Sequence, residues 1–144
     1  KTVMSTLSVG TIKSISSAAP VFQNTSGTEK GQLVKAWVNF DGTFGTSPFT
    51  KENGGIRDAF NVSSINDEGT GLYTINFATA MSDTNYCEIG NSSVSGTNFG
   101  AYLVPMGDSN SNYPRTTAKF SVTTVSYAAF QDVAYNFIAV FAAN

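Results

Sequence analysis

The chain has 144 residues, with 8 basic and 10 acidic side chains scattered along it, a formal net charge of −2 and 12% charged residues, against about 25% in an average domain. That balance excludes a phosphate-tracking surface, which needs clustered Lys and Arg to release counterions, because the only two arginines, Arg57 and Arg115, are far apart in sequence. The longest strongly apolar run, Phe137 to Ala143, is far short of the ~20 residues that span a bilayer as a helix, so neither nucleic acid nor membrane insertion is expected.

Taken in chain order, residues 1–31 read as an N-terminal arm. Lys1 to Ile15 has no continuous apolar stretch of the kind a signal peptide needs. Leu7 and Val9 alternate, Ile12 and Ile15 follow a break at Gly10 that suits a bulge, and then come Pro20 and the polar run QNTSGTEKGQ. So few apolar residues cannot bury a core alone. The arm is therefore expected to be extended and to pack along the body, on other copies or on a neighbouring protein. Leu7, Val9, Ile12 and Ile15 are its anchoring and assembly candidates.

Residues 32–144 read as a β-sandwich domain. A first strand at 33–40 alternates Val34, Ala36, Val38 and Phe40 on one face. A loop of about fifteen residues, Asp41 to Gly55, holds Phe44, Pro48 and Phe49 among Gly and Thr. Segments 56–62 and 63–67 read as two strands or one, and Asn66-Asp-Glu-Gly-Thr-Gly71 is a turn by composition, with glycines available for positive φ. Alternation resumes at 72–78 with Tyr73, Ile75 and Phe77. Further strands are expected at 86–90, 99–104, 118–127 and 133–141, separated by the loops Asn91 to Asn98 and Pro105 to Arg115. Ser and Thr make up about a quarter of the chain, and no dozen-residue segment has helical periodicity with caps. An all-β fold follows, an antiparallel β-sandwich of jelly-roll-like type.

The last strand is apolar on both sides. Val133, Tyr135, Phe137, Ala139 and Phe141 share one face, and Ala134, Ile138 and Val140 the other, with only Asn136 polar. A strand of this kind is covered on both faces. Tyr135, Phe137 and Phe141 are the candidate subunit interface of a homo-oligomer.

Catalytic chemistry finds little support in the residue types. The chain has no histidine, which removes Ser-His-Asp and Cys-His arrangements and most zinc sites. No serine sits in a Gly-x-Ser-x-Gly or Ser-x-x-Lys setting, and no D-x-D-x-D-G calcium run occurs. The adjacent acids Asp67 and Glu68 fall in the predicted turn. No catalytic residue, metal or cofactor is expected. The lone Cys87 cannot form an intrachain disulfide and reads as a small buried hydrophobe, in keeping with synthesis in a reducing cytosol. Asn24, Asn61 and Asn91 open glycosylation-type triplets, expected by chance in so Ser/Thr-rich a chain.

Loops are where a rigid sandwich displays binding groups. Phe44 and Phe49 in the first long loop, and Tyr113 and Arg115 in the third, are candidate receptor contacts. Aromatic rings stack on sugar faces while amides and charged groups bond to hydroxyls.

The block AWVNFDG, then IRDAFNVSSINDEGTGLYTINFATAM, between Ala36 and Met81 resembles the globular domain of virion appendage proteins of tailed bacteriophages, especially those of marine cyanobacteria. Met4-Ser-Thr-Leu-Ser-Val-Gly-Thr-Ile12 is similar to the opening of tail-fibre and related proteins of such phages, and DVAYNFIAVF to the family's last strand. On this resemblance Lys1 to Val3 precede the true start. The likeness covers most of residues 4–87 and carries over no catalytic residue. It implies a trimer, made in the host cytoplasm and placed in the virion, whose partners are other tail or capsid proteins and a host surface glycan. The expected function is that of a non-enzymatic short tail fibre or host-contacting appendage. A capsid decoration (cement) protein of the same phages is the alternative, and a cellular carbohydrate-binding module the third possibility.

Overall fold

In a computed structural model of the chain, the residues described are 9–13, 22–23, 25–27, 29–31, 33–93, 100–106, 112–126 and 129–142. They fall into two units, one of Lys1–Leu33 with Asn144 and one of Val34–Ala143. In the first, strands β1 (Phe22–Gln23) and β2 (Glu29–Gly31) pair antiparallel. Their turn lies inside the polar run, where Gly27 takes φ +78°, a conformation open to glycine at little cost.

The second unit is built from nine strands and no helix among the described residues. They are β3 (Val34–Phe40), β4 (Ile56–Phe60), β5 (Val62–Gly69), β6 (Leu72–Phe77), β7 (Cys87–Ser93), β8 (Gly100–Pro105), β9 (Lys119–Ser126), β10 (Ala129–Phe130) and β11 (Tyr135–Phe141). All pair antiparallel, in the order β4-β3-β11-β7-β8-β9-β6-β5, with β10 added on β9. The alternating positions do as period-two patterning dictates. Ala36, Val38 and Phe40 are buried, as are Tyr73, Ile75 and Phe77 and, on β11, Ile138 and Val140.

The two ends of this strand order, β4 and β5, are separated in sequence by Asn61 alone. The sheet must therefore curl until its ends meet, giving an antiparallel sheet nearly closed into a barrel-like sandwich. Asn61 makes the corner. It adopts φ 54°, which asparagine tolerates far better than β-branched residues. Its Nδ2 donates to the carbonyls of Lys35 and Thr79, both at 3.1 Å, and its Oδ1 accepts from the Thr79 N–H at 2.7 Å. The ambiguity over one strand or two at 56–67 thus resolves into two strands at opposite ends of one sheet.

Closure is completed from the long loop. Phe49 and Ile65 exchange two backbone hydrogen bonds, 2.7 and 3.0 Å, so the loop laces the free edge of β5. Such lacing satisfies edge groups that otherwise stay open to pairing.

Aromatic clusters fill both ends of the core. At one end Phe40 meets Tyr73 edge-on (5.2 Å between centroids), and Phe49 packs on both. Here the Tyr73 hydroxyl lies 2.9 Å from the Gly42 carbonyl and 2.8 Å from Asp132 Oδ1, which also accepts from the Gly71 N–H. No side chain fits at Gly42, because a Cβ would stand 2.5 Å from the Tyr73 hydroxyl. At the other end Phe77, Tyr86 and Phe120 stack at 5.5–6.0 Å. Burial of each such side chain stabilises by roughly 1.5–3 kcal/mol.

β11 begins at Tyr135, two residues later than the pattern predicts. Val133 belongs to the bend before it and is buried, so it does not share the face of Tyr135. Its carbonyl accepts from the Gly42 N–H and from Asn136 Nδ2. Asn136 is itself fully buried and satisfied, its Oδ1 accepting from the Ser92 hydroxyl at 2.7 Å.

Candidate functional site

Alternation that buries Ile138 and Val140 turns Tyr135, Phe137, Ala139 and Phe141 to the outside. Register places this row at the middle of four strands, β4-β3-β11-β7. Ala139 is flanked by Trp37 and Ile89, and Trp37 in turn pairs Phe60. One step along, Phe137 lies between Asn39 and Asn91, and Asn39 pairs Asp58. The outer face thus carries Phe60, Trp37, Ile89, Phe137 and Tyr135, each between 37% and 62% exposed. An open hollow of about 580 Å³ lies over Ala139, walled by Trp37, Ile89 and Phe137, with Asn39 and Asn91 at its rim.

Charge is kept to the margins of this face. A bulge in the pairing of β3 with β4 gives Arg57 room to reach Asp41 at 2.9 Å and to lie 4.7 Å over the Tyr135 ring. Lys51 pairs Asp58 at 2.6 Å, and that contact holds the Asp58 carboxyl below its ordinary range. Cys87, expected to be buried, is exposed: as the first residue of β7 it falls on the outward phase, opposite Phe141. The sequence context YCEIG does not say which phase of the strand faces the core.

The loop candidates are used differently from the expectation. Phe49 is wholly buried in the core, and Phe44 is part-buried against it, edge-on at 5.7 Å. The loop is folded inward and tied down. Asn53 Oδ1 accepts from the Thr50 and Gly55 N–H groups while its Nδ2 donates to the Pro48 carbonyl. Gly55 leaves room for both phenylalanines, since a Cβ there would stand 2.7 Å from Phe49 Cβ and 2.9 Å from Phe44 Cδ1. Period-two patterning is silent about an aromatic residue in a Gly/Thr-rich loop, so nothing local signalled its burial.

Arg115 is likewise a packing residue. Its guanidinium donates to the Tyr86 carbonyl at 2.7 Å and to Glu88 Oε2 at 2.9 Å, and sits 4.8 Å over the Tyr86 ring. The pair is largely removed from water. Tyr113 is part-buried and outside the core cluster. Of the arm candidates, Val9 and Ile12 are exposed, while Leu7 and Ile15 lie outside the described residues. Trp37, Phe60 and Ile89 were missed by sequence reasoning. The signal was present in the alternation on β3 and β4, but which strands flank β11 was not.

Among the described residues, no group of three or more Cys, Asp or Glu side chains is placed to hold a metal, and no helix is long and apolar enough to cross a membrane.

No family model matches the chain, and no curated protein matches it. Among solved structures, the chain is similar to the phiAB6 tailspike, determined in complex with three-repeated oligosaccharides of Acinetobacter baumannii surface polysaccharide. The TM-score is 0.48 and the identity 18%, over 94% of this chain and 31% of the tailspike. The chain thus spans about a third of that protein's length, and at this distance the likeness carries no functional inference.

Proposed function

We propose that the chain is a non-enzymatic structural protein of a tailed-phage virion, a short tail fibre or similar host-contacting appendage, that works as a homo-oligomer, a trimer on the sequence resemblance. The observation that carries the reading is the outer face centred on β11, where large apolar side chains stand half-exposed across four paired strands. An apolar surface of this breadth marks an interaction site. A curled sheet with laced edges is the rigid support such a surface needs. The resemblance of residues 4–87 to phage appendage domains supplies the biological setting, and the exposed Val9 and Ile12 of the N-terminal unit are the anchoring residues in it. Contact with a host glycan is assigned to the loop around Tyr113, whose ring the core does not use. Repeated copies multiply weak contacts of that kind.

Imaging of virions labelled with an antibody to this protein tests the role. Label at the tail is expected. Label spread over the shell would replace the appendage by a capsid decoration protein, and polysaccharide turnover by the purified protein would remove the non-enzymatic reading.

A further inference from the structure

We infer that the outer face of β4-β3-β11-β7 is the surface on which copies of this chain meet, the same face of each copy turned toward the others, with the hollow over Ala139 at its centre. The inference rests on the self-assembling reading and names the surface that performs it.

Area is the first argument. Trp37, Phe60, Ile89, Tyr135 and Phe137 leave 37–62% of their surfaces exposed, roughly 450 Å² in all when a full aromatic side chain counts as 150–250 Å². That is more than half of the ~800 Å² that each partner buries in a stable interface. Ala139, Phe141, Asn39, Asn91 and Ser93 surround them on the same face and add to the contact. The face is therefore large enough for a lasting contact between copies.

Charge is the second. The hollow is walled by apolar side chains and rimmed by the two amides, without an ionisable group in its lining. Of the charges around it, Arg57 pairs Asp41 and Asp58 pairs Lys51, while Lys35 shares the outward phase of β3 beside Trp37, outside the lining of the hollow. The hollow itself therefore selects no charged ligand, and its match is another apolar sheet surface. Face-to-face packing of sheets needs protruding and receding positions that interdigitate about 10 Å apart. This face has both. Phe60 and Phe137 protrude, and the row between Trp37 and Ile89 recedes at Ala139.

Trp37 is the chain's single tryptophan and stands on this face, so its fluorescence reports the contact directly. The experiment is sedimentation equilibrium of the full chain over a dilution series, with acrylamide quenching of Trp37 at each concentration. It is repeated for Phe137→Arg, Ala139→Arg and, as a control on the outer face of β8, Tyr102→Arg. Phe137 and Tyr102 are exposed and Ala139 is part-buried on the outward phase of β11, and far-UV circular dichroism verifies that each of the three variants folds. The expected result is an oligomer in which Trp37 is shielded and becomes quenchable on dilution. Phe137→Arg and Ala139→Arg should weaken assembly by about 30-fold or more, the size of a hot-spot loss, while Tyr102→Arg leaves it unchanged. An oligomer whose Trp37 stays open to quencher, or which both β11 variants leave intact, overturns this surface but keeps the self-assembling reading. A monomer at every concentration overturns both.

Discussion

At Asn61 the chain turns through a left-handed residue from one end of the strand order to the other, and three side-chain hydrogen bonds hold the corner. Alanine there meets the left-handed penalty of about 1–2 kcal/mol and forfeits the bonds, each worth about 1 kcal/mol net. Asn61→Ala is expected to cost roughly 4–5 kcal/mol in urea unfolding. Asn61→Gly, which keeps the backbone conformation, should cost about 1–2 kcal/mol less. Equal losses for the two would show that the backbone conformation contributes nothing. None of this is visible in the sequence, where Asn61 falls inside the expected strand 56–62, between Phe60 and Val62, and also opens a glycosylation-type triplet.

Among the elements, the loop between β3 and β4 differs most from its sequence reading. A Gly/Thr-rich stretch with two phenylalanines suggests display, yet the loop seats Phe49 between Phe40 and Tyr73 and hydrogen-bonds its backbone to β5. Phe49→Ala should therefore cost about 3–5 kcal/mol, as large-to-small changes in a closed core do. Calorimetry or denaturant titration checks this, and a change below 1 kcal/mol would return the ring to the surface. The strands themselves were largely legible, since alternation of Val34 to Phe40 and of Tyr73 to Phe77 is read from neighbours two apart. Their ends were less so, as Val133 shows: a bend and a bond to Gly42, distant in sequence, take it out of the strand.

For the molecule as a whole, pH dependence follows from the buried Tyr73. Burial first, and then the hydrogen-bonded Asp132, push its ionisation far above the usual tyrosine value of 10.0. Above about pH 10 the unfolded chain releases this proton and the folded chain keeps it, so folding binds one more proton there. Its contribution is fully present below pH 10 and is lost as pH rises, by about 1.4 kcal/mol per pH unit. Unfolding midpoints between about pH 9 and 11 measure the slope. Tyr73→Phe should remove that part of it while being less stable at neutral pH, where the Gly42 carbonyl and Asp132 lose a partner.

By itself the sequence determined the class of fold and most of the strands, because period-two hydrophobicity and turn composition act between residues two to six apart. It also marked β11 as apolar on both faces. Only the tertiary structure decided that β11 lies between β3 and β7, that Trp37 and Ile89 therefore flank Ala139, and that Phe49 and Arg115 serve packing instead of the surface. Those outcomes depend on strand order and on closure between segments far apart in the chain, and such pairings leave no local pattern to read.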